Sequence, residues 1–565
     1  MNTPPASSRW DYEARLLAVL AVCVSVFSFL YYYRHGDVLL YGDAVAHINI
    51  ARRVFDSKTP GLLQLGTVWL PLPHLLILPF VLSDPLWQTG AGGSLPSMAA
   101  YVLGVVGIFR LARGVLQRSG APVGETRMVA WSAALLYGAN PNLIYMQATA
   151  MGEALYLALF IWAVVHFGEF VRGEEKALTK CGWCLFAACL TRYDGWFLTV
   201  AMAVGILVVG GARKPSAPGD DGVALSLPRR RPSPHQPVSR RKMLSFVLLA
   251  AAGPVLWLGY NALIYRNPLE FANGPYSAKT IEQETRTVNP AKGNLPAAAS
   301  YFMKAAELNM GVTSWQGRLW LALAMLGSLV AWFSGGGRAA LLLWVPLPFY
   351  ALSVAYGSVP IFVPVWWPFS HYNLRYGLQL LPAFAIFTPL AISFTVKKLS
   401  ALASLPTSAK QRSLADLVAL TMILLAAGAS YVAIWHDDPV CYREASINSR
   451  GRIALEAQLG SLLLKLPPQA TLLMYLGNHV GALERAGIPL RRVINEGNHR
   501  VWKQPADPGG LWERALADPS ACADYIVAFE GDRVWQAVQG RPLTPLVEIH
   551  SLGQPPAILY RGRIP

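Results

Sequence analysis

Residues 16–47 read LLAVLAVCVSVFSFLYYYRHGDVLLYGDAVAH, and two patterns meet in that stretch. The first, Leu16–Tyr33, carries no charged residue. It approaches the roughly 20 apolar residues with which a helix spans a bilayer. Arg9 and Arg15 precede it, as in a signal peptide, but no small-residue cleavage site follows and many apolar runs come later. It reads as a retained first membrane helix. The second pattern, Tyr41-Gly42-Asp43-Ala44-Val45-Ala46-His47, follows soon after and sets two ionisable groups four residues apart, on one face if the segment is helical.

The remainder of the chain repeats the first pattern. Of 565 residues, 54% are hydrophobic and only 14% charged, too few charges for a soluble protein, whose share is roughly 25%. Apolar runs at 16–33, 97–115, 128–146, 153–170, 178–191, 195–211, 243–265, 318–334, 339–357, 377–396 and 414–435 predict a polytopic α-helical membrane protein of about eleven spans. The formal net charge is +16, and eight basic residues crowd into 211–242: Arg213, Lys214, Arg229, Arg230, Arg231, Arg240, Arg241 and Lys242. Apolar runs flank them, so they read as a cytoplasmic loop facing anionic membrane lipids; no motif points to nucleic acid. With the N-terminus inside, the other inner loops carry Arg113, Arg118, Arg127, Arg172, Lys176, Lys180, Arg338, Lys397, Lys398, Lys410 and Arg412, whereas the short outer turns at 147–152 and 192–194 carry only Arg192.

Three outer segments exceed mere connectors, at about 34–96, 266–316 and 358–376. In the first, Ala44–Phe55 has helical periodicity, and Leu70–Leu82 is apolar but broken by Pro71, Pro73 and Pro79, as interfacial helices are. In the second, Asn273–Lys279 has the Gly/Pro content of a lid or of a solvated loop. Composition changes near His436. The chain therefore divides into a membrane module, 1–435, and a soluble α/β domain, 436–565, with short strands at Thr471–Leu476, Arg492–Asn495, Tyr525–Phe529, Pro545–His550 and Ala557–Tyr560 and helices at Val480–Ala486 and Leu511–Ala517. An odd span count places that domain outside the cytoplasm. Cys23, Cys181, Cys184 and Cys189 read as small hydrophobes; Cys441 and Cys522 could bridge in an oxidising compartment.

Four outer stretches hold candidate chemistry. Asp43 and His47 come first; on spacing alone, Asp43 is an N-cap. Glu153 ends Gln147-Ala148-Thr149-Ala150-Met151-Gly152-Glu153, where a carboxylate also suits a helix dipole. Thr191-Arg192-Tyr193-Asp194-Gly195-Trp196 offers an Arg–Asp pair beside an interfacial aromatic. His371-Tyr372-Asn373-Leu374-Arg375-Tyr376 offers an arginine that could snorkel to headgroups.

Taken with their place in the topology, these stretches resemble the GT-C glycosyltransferase superfamily, which includes protein O-mannosyltransferases and aminoarabinose transferases. The agreement extends over most of residues 10–435. The resemblance implies a catalytic carboxylate on the first outer loop, here Asp43, and a second acidic residue entering a later span, here Glu153. It implies a polyprenyl-phosphate sugar as donor, a hydroxyl acceptor on a glycan, lipid or protein, and chemistry on the non-cytoplasmic face. Asp43 would be the general base, and Arg375, with Arg192 second, would hold the donor phosphate. His47, Tyr193, Asp194, His371 and Tyr372 would line the substrate pocket. The cofactor stays unknown: a divalent metal held by Asp43, Glu153 and His47 is left open. The rival readings are a transporter or flippase of a lipid-linked sugar, which calls for mid-span charges and repeat symmetry, and a non-catalytic assembly protein of the cell envelope.

Overall fold

The computed structural model describes residues 6–212, 240–285, 288–363, 367–402, 409–477, 479–499 and 508–563. Seven helical segments are long and apolar enough to cross a membrane: Asp11–His35, Ala91–Arg118, Glu153–Val171, Arg241–Tyr265, Ser314–Phe333, Arg338–Tyr356 and Leu374–Leu399. Each coincides with an expected run. Four other expected runs are not among these seven. The run at 128–146 is cut at Pro141, whose ring disfavours helix at the preceding residue; Asn140 turns extended and caps the new helix, its side chain accepting from Asn142 N and Leu143 N. At 178–191 the helix Glu175–Cys189 has only 15 residues, about 22 Å at 1.5 Å per residue. The run at 195–211 forms the 19-residue helix Asp194–Ala212, whose last side chains lie outside the described residues. The run at 414–435 lies in the helix Ala409–His436, part of which has side chains outside the described residues. Most of the basic loop 211–242 is likewise outside them.

The helices pack as a bundle. Ala91–Arg118 lies between Glu153–Val171, Val123–Gly138 and the first helix, while Ser314–Phe333 packs along Leu381–Leu402. The outer segments are built rather than loose. The helix expected at Ala44–Phe55 forms as Gly42–Arg53, and the proline-broken stretch forms short helices at Leu72–Ile77 and Asp84–Gln88. The second segment holds helices Glu270–Asn273, Ala278–Thr285 and Leu295–Leu308. Its Gly/Pro stretch is tied down, Gly274 N donating to Glu270 O and Thr280 Oγ1 to Gly274 O.

Beyond residue 436 the chain first makes a 24-residue helix, Val440–Leu463, that sequence reading left out. It packs on Pro141–Gln147 and on the turn 374–380. A five-stranded sheet follows, ordered Val493–Ile494, Leu472–Met474, Tyr525–Phe529, Ala557–Arg561, Thr544–Ile549; the first three strands are parallel and the last two pair antiparallel. The helix expected at Leu511–Ala517 forms there, and that expected at Val480–Ala486 forms as Gly481–Arg485. Cys441 and Cys522 are both free thiols: Cys441 is buried beside Asn309 and Asn142, far from any bridge.

Candidate active site

Arg375 is set in place by three local devices. Asn373 takes a left-handed conformation (φ 58°), which Asn tolerates better than most side chains, and donates to Pro360 O at 2.8 Å. Leu374 N donates to Glu444 Oε2 at 2.7 Å. Gly377 presses on the helix Leu295–Leu308, where a Cβ would come within 2.4 Å of Ala305 C. The guanidinium is thereby turned inward, 7% exposed, over the rings of Tyr41 (4.9 Å) and Tyr376 (5.3 Å). It does not snorkel to the lipid surface.

Asp43 is the second residue of the helix Gly42–Arg53, whose N-cap is Tyr41, and no side-chain capping bond forms there. Its Oδ2 instead takes Arg375 Nη2 at 2.5 Å, across 332 residues of chain. Glu153 opens the helix Glu153–Val171, and its Oε1 lies 3.2 Å from both Arg375 Nε and Arg192 Nη1. Arg192 is closed by Asp194 Oδ1 at 3.3 Å and by Tyr350, whose hydroxyl accepts from Arg192 at 2.9 Å and donates to Asp194 at 3.1 Å. Gly195 permits this sharp turn: a Cβ there would sit 2.6 Å from the Ala188 backbone. The result is an alternating chain, Asp43, Arg375, Glu153, Arg192, Asp194, with Tyr376 shared under both guanidinium groups.

Two features of this chain matter chemically. First, although Arg375 Nε and Arg192 Nε lie within ion-pair distance of carboxylates, their N–H groups are not aligned with them, and both are left without a hydrogen bond, as is Glu153 Oε2. Buried donors on a cation, left unspent, suit an incoming oxyanion. Second, the Asp43 side chain is 36% exposed, against 1% for Glu153, 3% for Asp194 and 2% for Glu444. Of these four carboxylates, Asp43 is the one that a second substrate can touch.

Glu444 and Tyr350 were not singled out from sequence. Glu444 Oε1 stands 3.8 Å behind Arg375 Nη1. Burial pushes its carboxyl up to about 7 against the opposing pull of Arg375. A signal existed: buried Val440, Cys441, Glu444, Ala445, Ser449, Arg452, Leu455, Glu456 and Leu459 recur at helical spacing.

The other expected residues are placed differently. His47 lies one turn beyond Asp43, but its Nδ1 shares a hydrogen bond with His74 Nε2 at 2.8 Å, with Trp69 edge-on at 5.2 Å. Burial depresses both imidazoles below the usual histidine range. With its Nδ1 engaged by His74, His47 does not join Asp43 and Glu153, and among the described residues no group of three His, Cys, Asp or Glu is placed to hold a metal ion. Tyr193 stacks on Phe271 (5.1 Å) and donates to Val68 O at 2.9 Å, on the far side of Arg192 from Asp43. Tyr372 is exposed at the rim, within electrostatic reach of Asp43 and Arg375. His371 is not drawn in: it lines a separate pocket of about 230 Å³ with Asp437 and Arg443.

Comparison with known structures follows this geometry. ArnT from Cupriavidus metallidurans bound to undecaprenyl phosphate aligns over 96% of this chain and 97% of its own, with a TM-score of 0.54 and 14% identity. The fold is of the GT-C type. The apo form of the same ArnT aligns over 99% and 98%, again at 0.54 and 14%. The Archaeoglobus fulgidus oligosaccharyltransferase, in complex with Zn and sulfate, scores 0.40 at 13% identity, covering 97% of this chain and 73% of that one. No protein-family model and no curated protein matches the sequence.

Proposed function

We propose that the chain is a membrane glycosyltransferase that moves a sugar from a polyprenyl-phosphate donor to an acceptor hydroxyl on the non-cytoplasmic face. The observation that carries this reading is the contact between Arg375 and Asp43: a buried cation with an unspent donor, in direct contact with the one exposed carboxylate of the cluster. The fold shared with an undecaprenyl-phosphate-bound ArnT supports the choice of donor.

In the reaction, the acceptor oxygen bonds to the anomeric carbon as the bond from that carbon to the phosphate oxygen breaks. Asp43 takes the hydroxyl proton. Arg375, with Arg192 beside it, holds the leaving polyprenyl phosphate, whose charge grows as it departs. Glu153, Asp194 and Glu444 orient the two guanidinium groups. With four carboxylates against two arginines, a further phosphate charge is most easily admitted when one carboxyl carries a proton, and Glu444, near its midpoint at neutral pH, is suited to that. The sugar is left unspecified; mannose is the first to try.

The topology belongs to the same reading: eleven spans, the cluster and the C-terminal sheet outside the cytoplasm of a cell membrane, and the basic run 211–242 inside. A reporter fused after Pro565 should read extracytoplasmic and one inserted near Pro218 cytoplasmic. Release of polyprenyl phosphate from radiolabelled polyprenyl-phosphate mannose, assayed in membranes, tests the chemistry. Asp43→Asn keeps the shape of the side chain but cannot accept a proton, so turnover should fall by about 10²–10⁴-fold with folding intact. A folded Asp43→Asn protein with normal turnover would falsify the base assignment.

A further inference from the structure

Away from the Arg375 cluster, a pocket of about 400 Å³ opens between the end of the first span, the first outer loop and the C-terminal segment. Tyr33 and Arg34 form one side of it. They are exposed residues near the end of the helix Ala6–His35, where a span meets lipid headgroups. Glu456, Glu484 and Arg485 also line it.

The two carboxyl groups there are each only 1% exposed. One oxygen of each is engaged: Glu456 Oε2 accepts from Arg452 Nη1 at 2.9 Å, and Glu484 Oε2 from Asn49 Nδ2 at 3.0 Å. The other oxygen, Oε1 in both, has no hydrogen-bond partner. Arg452 cannot turn to supply one, because its Nη2 is spent on Leu39 O and Leu40 O, both at 2.9 Å. Two buried acceptors left open beside a cavity call for a donor. Burial, with the Glu456 charge adding to it, pushes the Glu484 carboxyl up to about 8, a shift that a cation beside the two carboxylates would reverse. Gly481 keeps the wall open: a Cβ there would lie 2.5 Å from both Glu456 oxygens.

The charge pattern is directional. It is acidic inside, and basic at the rim through Arg34 and Arg485, the latter 43% exposed and 3.9 Å from Glu456. We propose that this pocket binds the phosphoethanolamine headgroup of a membrane lipid, its primary ammonium donating to Glu456 Oε1 and Glu484 Oε1 and its phosphate facing Arg34 and Arg485. A primary ammonium has three N–H donors, enough for both open oxygens. A trimethylammonium has none, and an anionic headgroup without an amine would set like charge against the carboxylates. The bound lipid would join the first span to the C-terminal segment, at a site that uses neither Asp43 nor Arg375.

The full-length protein in mixed lipid nanodiscs tests this. Phosphatidylethanolamine, phosphatidylcholine and phosphatidylglycerol of one acyl composition are supplied equally, and the lipid retained on ejection is identified by native mass spectrometry. Phosphatidylethanolamine should be retained about tenfold over either competitor. Glu484→Gln should remove that preference, and Arg485→Ala, at an exposed position that leaves the core untouched, should weaken it several-fold. Equal retention of phosphatidylethanolamine and phosphatidylcholine by the wild type would overturn the proposal, as would an unchanged preference in a folded Arg485→Ala protein. Displacement of the lipid by millimolar soluble O-phosphoethanolamine would place the ligand in solution and overturn its membrane source.

Discussion

Arg52 and Arg375 are two buried arginines, 4% and 7% exposed, each in reach of carboxylates and each stacked on two aromatic rings. They differ in what is left over. Arg52 spends every nitrogen: Nε on Asp56 at 2.9 Å, Nη1 on Val81 O at 2.7 Å, Nη2 on Asp84 at 2.6 Å. Arg375 has acidic neighbours on three sides and still keeps an N–H without an aligned acceptor. The first arrangement is complete without a ligand and ties helix Gly42–Arg53 to the turns behind it. The second is finished only by something that arrives. Burial and ion pairing are common to both arginines; what sets Arg375 apart, and what the proposed function rests on, is unspent hydrogen-bonding capacity beside an exposed carboxylate.

That distinction can be broken most forcefully at Arg52. Arg52→Ala removes one of two cations from Asp56, which is 1% exposed and keeps Arg491 and two backbone N–H groups, and it also breaks the contacts to Val81 O and Asp84; the loss should lie near the low end of the about 3–5 kcal/mol for breaking a buried pair. Thermal unfolding in detergent should show a large loss of stability, while turnover per folded molecule stays near wild type. A stable Arg52→Ala protein with impaired transfer would reverse the roles assigned to the two arginines.

Arg375→Lys should have the converse signature. The charge stays, but the planar fork that can grip a phosphate at two points is lost. At about 1.5–3 kcal/mol per charge-assisted hydrogen bond, kcat/KM for the donor should fall roughly 10–100-fold, with KM for the acceptor little changed. Equal effects on both substrates would remove the phosphate role.

The contrast also shows what was legible in sequence. Asp43, Glu153, Arg192, Asp194 and Arg375 were picked out because each is an ionisable residue at an outer helix end, and chemistry leaves such residues there in few other circumstances. The sequence could not tell an N-cap from a base at Asp43, since both use the same residue at the same spacing; the structure pairs Asp43 with Arg375, 332 residues away. His371 was drawn in by its neighbours in the chain, yet strand Trp367–Tyr372 ends by turning it to another pocket. Glu444 was passed over because polar composition after His436 suggested a separate soluble domain. The helix Val440–Leu463 instead folds back onto the turn that carries Arg375. Among the spans, seven long uniform runs form helices long enough to cross a membrane, while Pro141 interrupts one expected run and another forms a helix of 15 residues.

A smaller effect sharpens the role of Glu444. Its folded carboxyl is raised from 4.5 to about 7. Between those values the folded protein holds a proton there that the unfolded chain has released, so stability at this residue is greatest below pH about 4.5 and declines as pH rises through 7. Glu444→Gln should flatten that part of the stability profile, measured by thermal unfolding across pH 4–8. An unaltered slope would mean that Glu444 titrates as an ordinary carboxylate and does not answer to its burial behind Arg375.

The central claim, that the Arg375 cluster is held open for a lipid phosphate, is tested most directly by equilibrium binding of undecaprenyl phosphate to the purified protein in nanodiscs. Saturable binding by the wild type should weaken at least tenfold in Arg375→Ala and persist in Asp43→Asn, whose lost charge lies on the acceptor side. Equal affinity in the wild type and a folded Arg375→Ala protein would contradict the account.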